Sequence, residues 1–251
     1  MGSNNTVDFS TAILNANYNS AGTSYSVAPI QSHKAETAVL EPDTEYVYSV
    51  GDGAKDVTSV VSPAGFKTPA SNLDTFNFVW VTDMHAALNS SHNDKALTQA
   101  FNDFPDASFI LSSGDQVSYG FDTWQWDSFF EANADKFARV PLYMGTGNHE
   151  YDGAGNSWAP NSSWDSVDPT LQNLLGRYNP PKNGASFYGG GDGTQRMVAG
   201  IDKLQFESSN YYWVYGDTLF MMMDYQDQSN SAQIKAQQDW MKSVVKQNPT
   251  K

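Results

Sequence analysis

The hydrophobic rhythm of the chain changes near residue 75. Over the first seventy residues, short apolar stretches are broken by clusters of Gly, Ser, Asn and Pro. No helical period emerges, so the pattern predicts short strands and turns. A turn-forming Pro42-Asp43 precedes a strand in which Tyr46, Tyr48 and Val50 share one face. Residues 66–74 read as a last strand running into a polar linker. Three nearly continuous apolar runs follow, at 76–82, 107–111 and 140–144, alternating with helical stretches near 94–101 and 122–137. Strands of this kind are covered on both faces, which predicts a layered α/β domain. Trp124, Trp126, Phe129 and Phe130 fall at helical spacing and read as core or interface, not as a substrate platform. Residues 152–168 are polar and aperiodic, a long surface loop near the site in which Trp158 and Trp164 are candidates for lining a pocket. A short helix around 171–178, strands around 211–215 and 218–223, and a helix over 231–246 complete the pattern.

Composition narrows the function classes. Across 251 residues, 14 Lys and Arg stand against 28 Asp and Glu, a formal charge of −14, which excludes a broad basic face for nucleic acid or anionic membrane. Aromatic residues make up 14% and charged residues only 17%, as in a folded globule and not a disordered acidic tail. There are no cysteines, so disulfides, zinc-thiolate sites and cysteine nucleophiles are ruled out. No apolar run approaches membrane-spanning length, and the opening Met1-Gly2-Ser3-Asn4-Asn5 lacks the charged and apolar regions of a signal peptide.

Polar clusters sit at the exits of the three apolar runs: Asp83-Met84-His85, Gly114-Asp115 with Tyr119 beyond it, and Gly147-Asn148-His149-Glu150. The carboxyl ends of strands are where α/β sheets collect ligands. Asp83 to Asp115 spans 32 residues and Asp115 to Asn148 spans 33, one strand-helix unit each. Carboxylate oxygen, imidazole nitrogen and amide oxygen together suit manganese, iron or zinc. Asp83 and His85 can converge on one ion, Asp115 has two oxygens with which to bridge two, and Asn148 offers an uncharged oxygen to the second. His149 could then face substrate as a cation or proton donor, oriented by an acidic partner for which Glu150 is a candidate.

Taken with their strand context, these residues resemble the calcineurin-like metallophosphoesterases, whose signature is D-x-H, then G-D, then G-N-H-E/D. The run Leu40-x-Pro42-x-Thr44-x-Tyr46-x-Tyr48 resembles the tyrosine corner of fibronectin type III domains. Such a domain before a catalytic one resembles the purple acid phosphatase branch. The resemblance implies an αββα catalytic domain over 75–251, incomplete at its C-terminus, preceded by a small all-β sandwich over 1–70, incomplete at its start. It implies two divalent or mixed-valence ions of iron, manganese or zinc, the first on Asp83, His85 and Asp115, the second on Asp115 and Asn148. It further implies a bridging hydroxide nucleophile acting on a small phosphorylated substrate, with His149 assisting catalysis. Two departures stand out. In purple acid phosphatases the first cluster lacks the histidine and a tyrosine lies three residues after the bridging aspartate, whereas here His85 is present and Tyr119 lies four residues on. The family also completes its centre with a later histidine and a G-H-x-H segment, and this sequence has only His33, His85, His92 and His149. The chain alone is therefore expected to lack activity that the longer form would have.

The competing expectation is a non-catalytic secreted binding or adhesion protein whose sandwich and aromatic loop hold a partner beside a degenerate metal motif. Resemblance and surface composition together suggest export to the surface or surroundings of a bacterial cell. Two divalent ions would outweigh the charges of Asp83 and Asp115, so the local field would attract phosphate in spite of the global negative charge.

Overall fold

The computed structural model describes residues 12–14, 17–18, 24–25, 30–32, 37–50, 64–118, 120, 123–151, 174, 177–185, 209–224 and 231–249. His33, Tyr119, Trp158, Trp164 and the loop expected over 152–168 lie outside them.

The early residues pair as antiparallel strands. β1 (Ala12–Leu14) pairs with β4 (Ile30–Ser32), β2 (Asn17–Tyr18) with β3 (Ser24–Tyr25), and β5 (Glu45–Tyr48) with β6 (Ala64–Lys67). Among the described residues these are three two-stranded sheets. Tyr46 and Tyr48 share a face as the alternation predicts, and both rings meet Phe66 across the pair, at 5.7 and 6.2 Å. The Tyr46 hydroxyl accepts the Glu41 N–H at 2.9 Å, a bond reaching back five residues into the preceding turn. The Thr68 hydroxyl accepts the Thr44 N–H at 2.9 Å and donates to the Glu41 carbonyl at 2.6 Å, tying the exit of β6 to the same turn.

The second half is built on a parallel sheet, β7 (Val79–Val81), β8 (Ile110–Ser112) and β9 (Leu142–Met144), with β8 in the middle. The connections are α1 (Ala86–Asp103), then α2 (Thr123–Ala132) with α3 (Ala134–Phe137). Each strand is shorter than its apolar run, and α1 begins eight residues before the expected start. The helix expected over 122–137 is broken at Asn133. Its side-chain amide donates to the Phe129 carbonyl at 3.0 Å, while its own carbonyl accepts from Lys136 and Phe137, ending one helix and starting the next.

Alternation along these strands feeds two cores. On the helix side, Val79, Ile110 and Met144 pack with Leu97, Trp126, Phe129 and Leu174. Trp126 and Phe129 are core, and Trp124 is 60% exposed, so of the two readings core does not apply to it. On the other side, Phe109, Leu111 and Tyr143 pack against a hairpin of β10 (Tyr211–Tyr215) and β11 (Thr218–Met222). Tyr143 stacks on Trp213 at 4.0 Å and 5°, and Trp213 on Phe220 at 5.0 Å and 10°, stacked aromatic pairs of a kind worth about 0.5–1.5 kcal/mol each beyond their burial. α4 (Ser231–Gln247) lies beyond the hairpin, its Trp240 meeting Tyr212 and donating to the Asn183 carbonyl at 2.8 Å. The contacts therefore run helix, sheet, hairpin, helix. This order gives both faces of the parallel sheet an apolar cover, as its continuous apolar runs require.

Met144 sits at the outer edge of β9. Gly145 donates back to Ser112 of β8, so the polar groups of Met144 face away from that neighbour. Two tyrosines meet them: the Met144 N–H donates to the Tyr178 hydroxyl at 3.2 Å, and the Tyr211 hydroxyl donates to the Met144 carbonyl at 2.9 Å. The two hydroxyls lie 2.9 Å apart.

Candidate metal centre

The loops leaving β7, β8 and β9 meet at the carboxyl edge of the sheet. Main-chain bonds stitch the first two: Asp83 N–H to the Gly114 carbonyl at 3.2 Å, His85 N–H to Asp115 at 3.0 Å, and Ala86 N–H to Gln116 at 3.0 Å. To run this way the backbone turns left-handed at Asp83 (φ 51°), His85 (44°) and Asp115 (53°). Non-glycine residues rarely adopt that conformation, and its recurrence at three candidate ligands places stored backbone strain at the site.

The second and third loops touch backbone to backbone. A Cβ on Gly114 would lie 2.7 Å from the Gly147 Cα, and one on Gly147 would lie 2.6 Å from the Asp115 nitrogen and 2.7 Å from its carboxyl carbon. The glycines that precede Asp115 and Asn148 are thus requirements of the approach. Across it, the His149 N–H donates to Asp115 Oδ1 at 3.0 Å.

Three candidate residues converge. His85, Asp115 and His149 each offer a ligand atom, and these atoms lie within 4.8 Å of one another. The two imidazoles meet edge to face, 4.5 Å between centroids at 88°. His85 Nδ1 is buried with no hydrogen-bond partner, a cost that coordination to a cation would remove. Nitrogen and carboxylate donors at this separation fit a borderline divalent ion. Asp83 stands at the rim, its side chain 64% exposed, with Oδ1 3.8 Å from His85 Nε2 and Oδ2 accepting the Thr82 hydroxyl at 2.8 Å. Asn148 is half-buried between Gly147 and His149.

Glu150 is not the partner of His149. The Nδ1 of His149 lies 2.7 Å from the Ser118 carbonyl, which can only accept, so Nδ1 carries a proton and Nε2 is left to carry the chemistry. Ser118 is itself held by its N–H on the buried Gln125 Oε1 at 2.8 Å, and Gly120 is held by its N–H on the His149 carbonyl and by Trp126 Nε1 on its own carbonyl. The first turns of α2 therefore orient His149. Nothing in the sequence singled out Ser118 or Gln125, because a main-chain carbonyl leaves no mark on residue identity. Glu150 instead turns inward, fully buried, and accepts N–H groups from Asp115, Gln116 and Gly147. Burial pushes its carboxyl up to about 7, the charge of Asp115 adds to the rise, and the three N–H groups oppose it.

The model of the calcineurin-like phosphoesterase family matches residues 76–250. The chain belongs to that family. This phosphoesterase domain coincides with the half of the molecule built on the parallel sheet. Among solved structures it is similar to purple acid phosphatase PPD1 from yellow lupin (Lupinus luteus) seeds, with a TM-score of 0.53 and 19% identity over 83% of this chain. The chain spans 35% of the length of that protein, and at this identity the likeness speaks for the fold. No curated protein matches the phosphoesterase chain in sequence.

Proposed function

We propose that the phosphoesterase domain hydrolyses small phosphorylated substrates at a two-metal centre held by Asp83, His85, Asp115 and Asn148, with His149 acting on the transferring or departing group. The observation that carries the reading is the convergence of His85, Asp115 and His149 within 4.8 Å beside a buried, unpartnered His85 nitrogen. Divalent ions held there would supply Lewis acidity, to polarise phosphoryl oxygens and lower the pKa of water toward neutrality.

The residues supply position and proton transfer. Asp115, which in this reading bridges the two ions, is fixed by a bond from the His149 N–H to its carboxylate and a bond from its own N–H to Glu150. His149, locked by Ser118 with the proton on Nδ1, presents Nε2 either as an imidazolium that stabilises the phosphoryl group or as the acid that protonates the leaving oxygen. General acid catalysis of this kind contributes about 10²- to 10⁴-fold. We take the strand pairs of residues 12–67, with the backward reach of Tyr46, as part of a fibronectin-like sandwich, and the whole as an exported bacterial protein.

Calorimetric titration of the metal-free chain with Mn²⁺, Zn²⁺ and Fe²⁺ tests the reading. Saturable binding is expected, lost in Asp115→Asn and His85→Ala proteins that remain folded. A chain that binds none of these ions refutes it.

A further inference from the structure

The approach of the loops after β8 and β9 buries main-chain donors between them. Three N–H groups, those of Asp115, Gln116 and Gly147, point into the same space, and buried donors require acceptors. One side chain meets all three. Glu150 Oε2 accepts from Asp115 at 2.9 Å and from Gly147 at 2.6 Å, and Oε1 accepts from Gln116 at 2.9 Å.

We infer that Glu150 is the positioning residue of this centre: its carboxylate sets the separation between Asp115 and the Asn148-His149 pair, and through it the affinity and geometry with which a cation is held. The inference rests on the reading that these loops hold a divalent cation.

Glu150 does not act directly. It is 0% exposed and both its oxygens are engaged by main-chain donors, so it reaches neither substrate nor solvent. It is not the orienter of His149, which is Ser118. What it grips is the backbone at Asp115, in the left-handed conformation, while its neighbour His149 grips the carboxylate of the same residue. Asp115 is thereby held from both ends by two consecutive residues. Gln116, the third donor, also accepts from Ala86 through its carbonyl, so the clamp extends to the loop that bears Asp83 and His85. Carboxylate is the side chain this space calls for. Glutamine with its oxygen at the Oε2 position would keep two bonds and set its amide group, a donor, against the N–H of Gln116.

The test is a Co²⁺ titration of the metal-free chain, wild type and Glu150→Gln, with the visible absorption of bound Co²⁺ recorded as a report on coordination geometry and apo-protein melting as a control for folding. The expected result is an affinity loss of about 10- to 100-fold, the range seen when groups that orient metal ligands are removed, with an altered Co²⁺ spectrum in a protein still folded at the temperature of measurement. If Glu150→Gln does not fold, Glu150→Asp, which keeps the charge and shortens the reach by one methylene, is read the same way with a smaller loss expected. Unchanged affinity and spectrum in a folded variant, even one that melts earlier, overturns the inference by showing a merely structural role. Failure of the wild-type chain to bind Co²⁺ is a different result, and it overturns the metal reading beneath.

Discussion

Gly147→Ala isolates the contact on which the site depends, because competing effects predict opposite signs. Gly147 is not among the positive-φ residues, so alanine meets no backbone strain there. With open space around it the substitution would stabilise the fold by about 0.4–1 kcal/mol, by reducing the freedom of the unfolded chain. The space is not open: the new Cβ would lie 2.6 Å from the Asp115 nitrogen and 2.7 Å from its carboxyl carbon, with the carboxylate oxygen Oδ1 nearer still. Ordinary carbon contacts begin near about 3.5 Å, so the loops must part by roughly 0.8 Å to clear the carboxyl carbon and by more to clear Oδ1. The neighbours are backbone and a carboxylate already bonded to His149, and they cannot swing aside as a flexible side chain would. Forced overpacking of this kind costs about 1–3 kcal/mol. At roughly 2–4 °C per kcal/mol for a chain of this size, the apo protein should melt some 2–12 °C lower. Displacement of about 1 Å at Asp115, a proposed metal ligand, should also weaken Mn²⁺ binding. Thermal melting of the metal-free chain and calorimetric titration with Mn²⁺ read the two effects. A variant that melts at or above the wild-type temperature and binds Mn²⁺ with unchanged affinity would refute the loop geometry.

Two further outcomes follow from the tyrosines around β9. Tyr178→Phe removes the acceptor of the Met144 N–H and leaves a donor unpaired beside the core, a loss expected to cost about 1–3 kcal/mol in urea denaturation. Burial pushes Tyr143 and Tyr178 up to about 12 and Tyr211 well up, while the same groups titrate near 10 when unfolded. The unfolded chain therefore releases protons that the folded chain keeps. Stability present below pH 10 should be lost as pH rises from about 10 to 12, by on the order of 2 kcal/mol for each of Tyr143 and Tyr178, as followed by chemical denaturation across that range.

The site was legible in the sequence where a single residue type answers two demands. Asp83, His85 and Asp115 are chemically suited to a metal, and Asp and His are also among the residues that tolerate left-handed backbone. Gly114 and Gly147 stand out because any side chain would collide across the gap. The apolar runs announced a sheet covered on both faces, and Phe109 and Ile110, adjacent in sequence, duly enter opposite cores. What could not be read depends on neighbours brought together only by folding. Residues 86–93 carry Asn, Ser and His, weak helix formers, yet α1 starts at Ala86, whose N–H is taken up by Gln116. Adjacency suggested that Glu150 serves His149, but the 3₁₀ turn over His149–Tyr151 sends consecutive side chains in different directions, one to His85 and one beneath the loop of Asp115. Asn133 could not be known to divide α2 from α3 until the position of the Phe129 carbonyl was known.

The two hydroxyls on Met144 have a consequence for association. The outer edge of a parallel sheet is a template to which any extended segment can add by main-chain bonding, whether from another copy of the chain or from an aggregating neighbour. At Met144 both template groups are already occupied, by side chains whose rings are anchored in the core and cannot be displaced without unpacking it. The protein thus guards this stretch of β9 with a pair of phenols, which bond as a strand would but offer no further strand a place to continue.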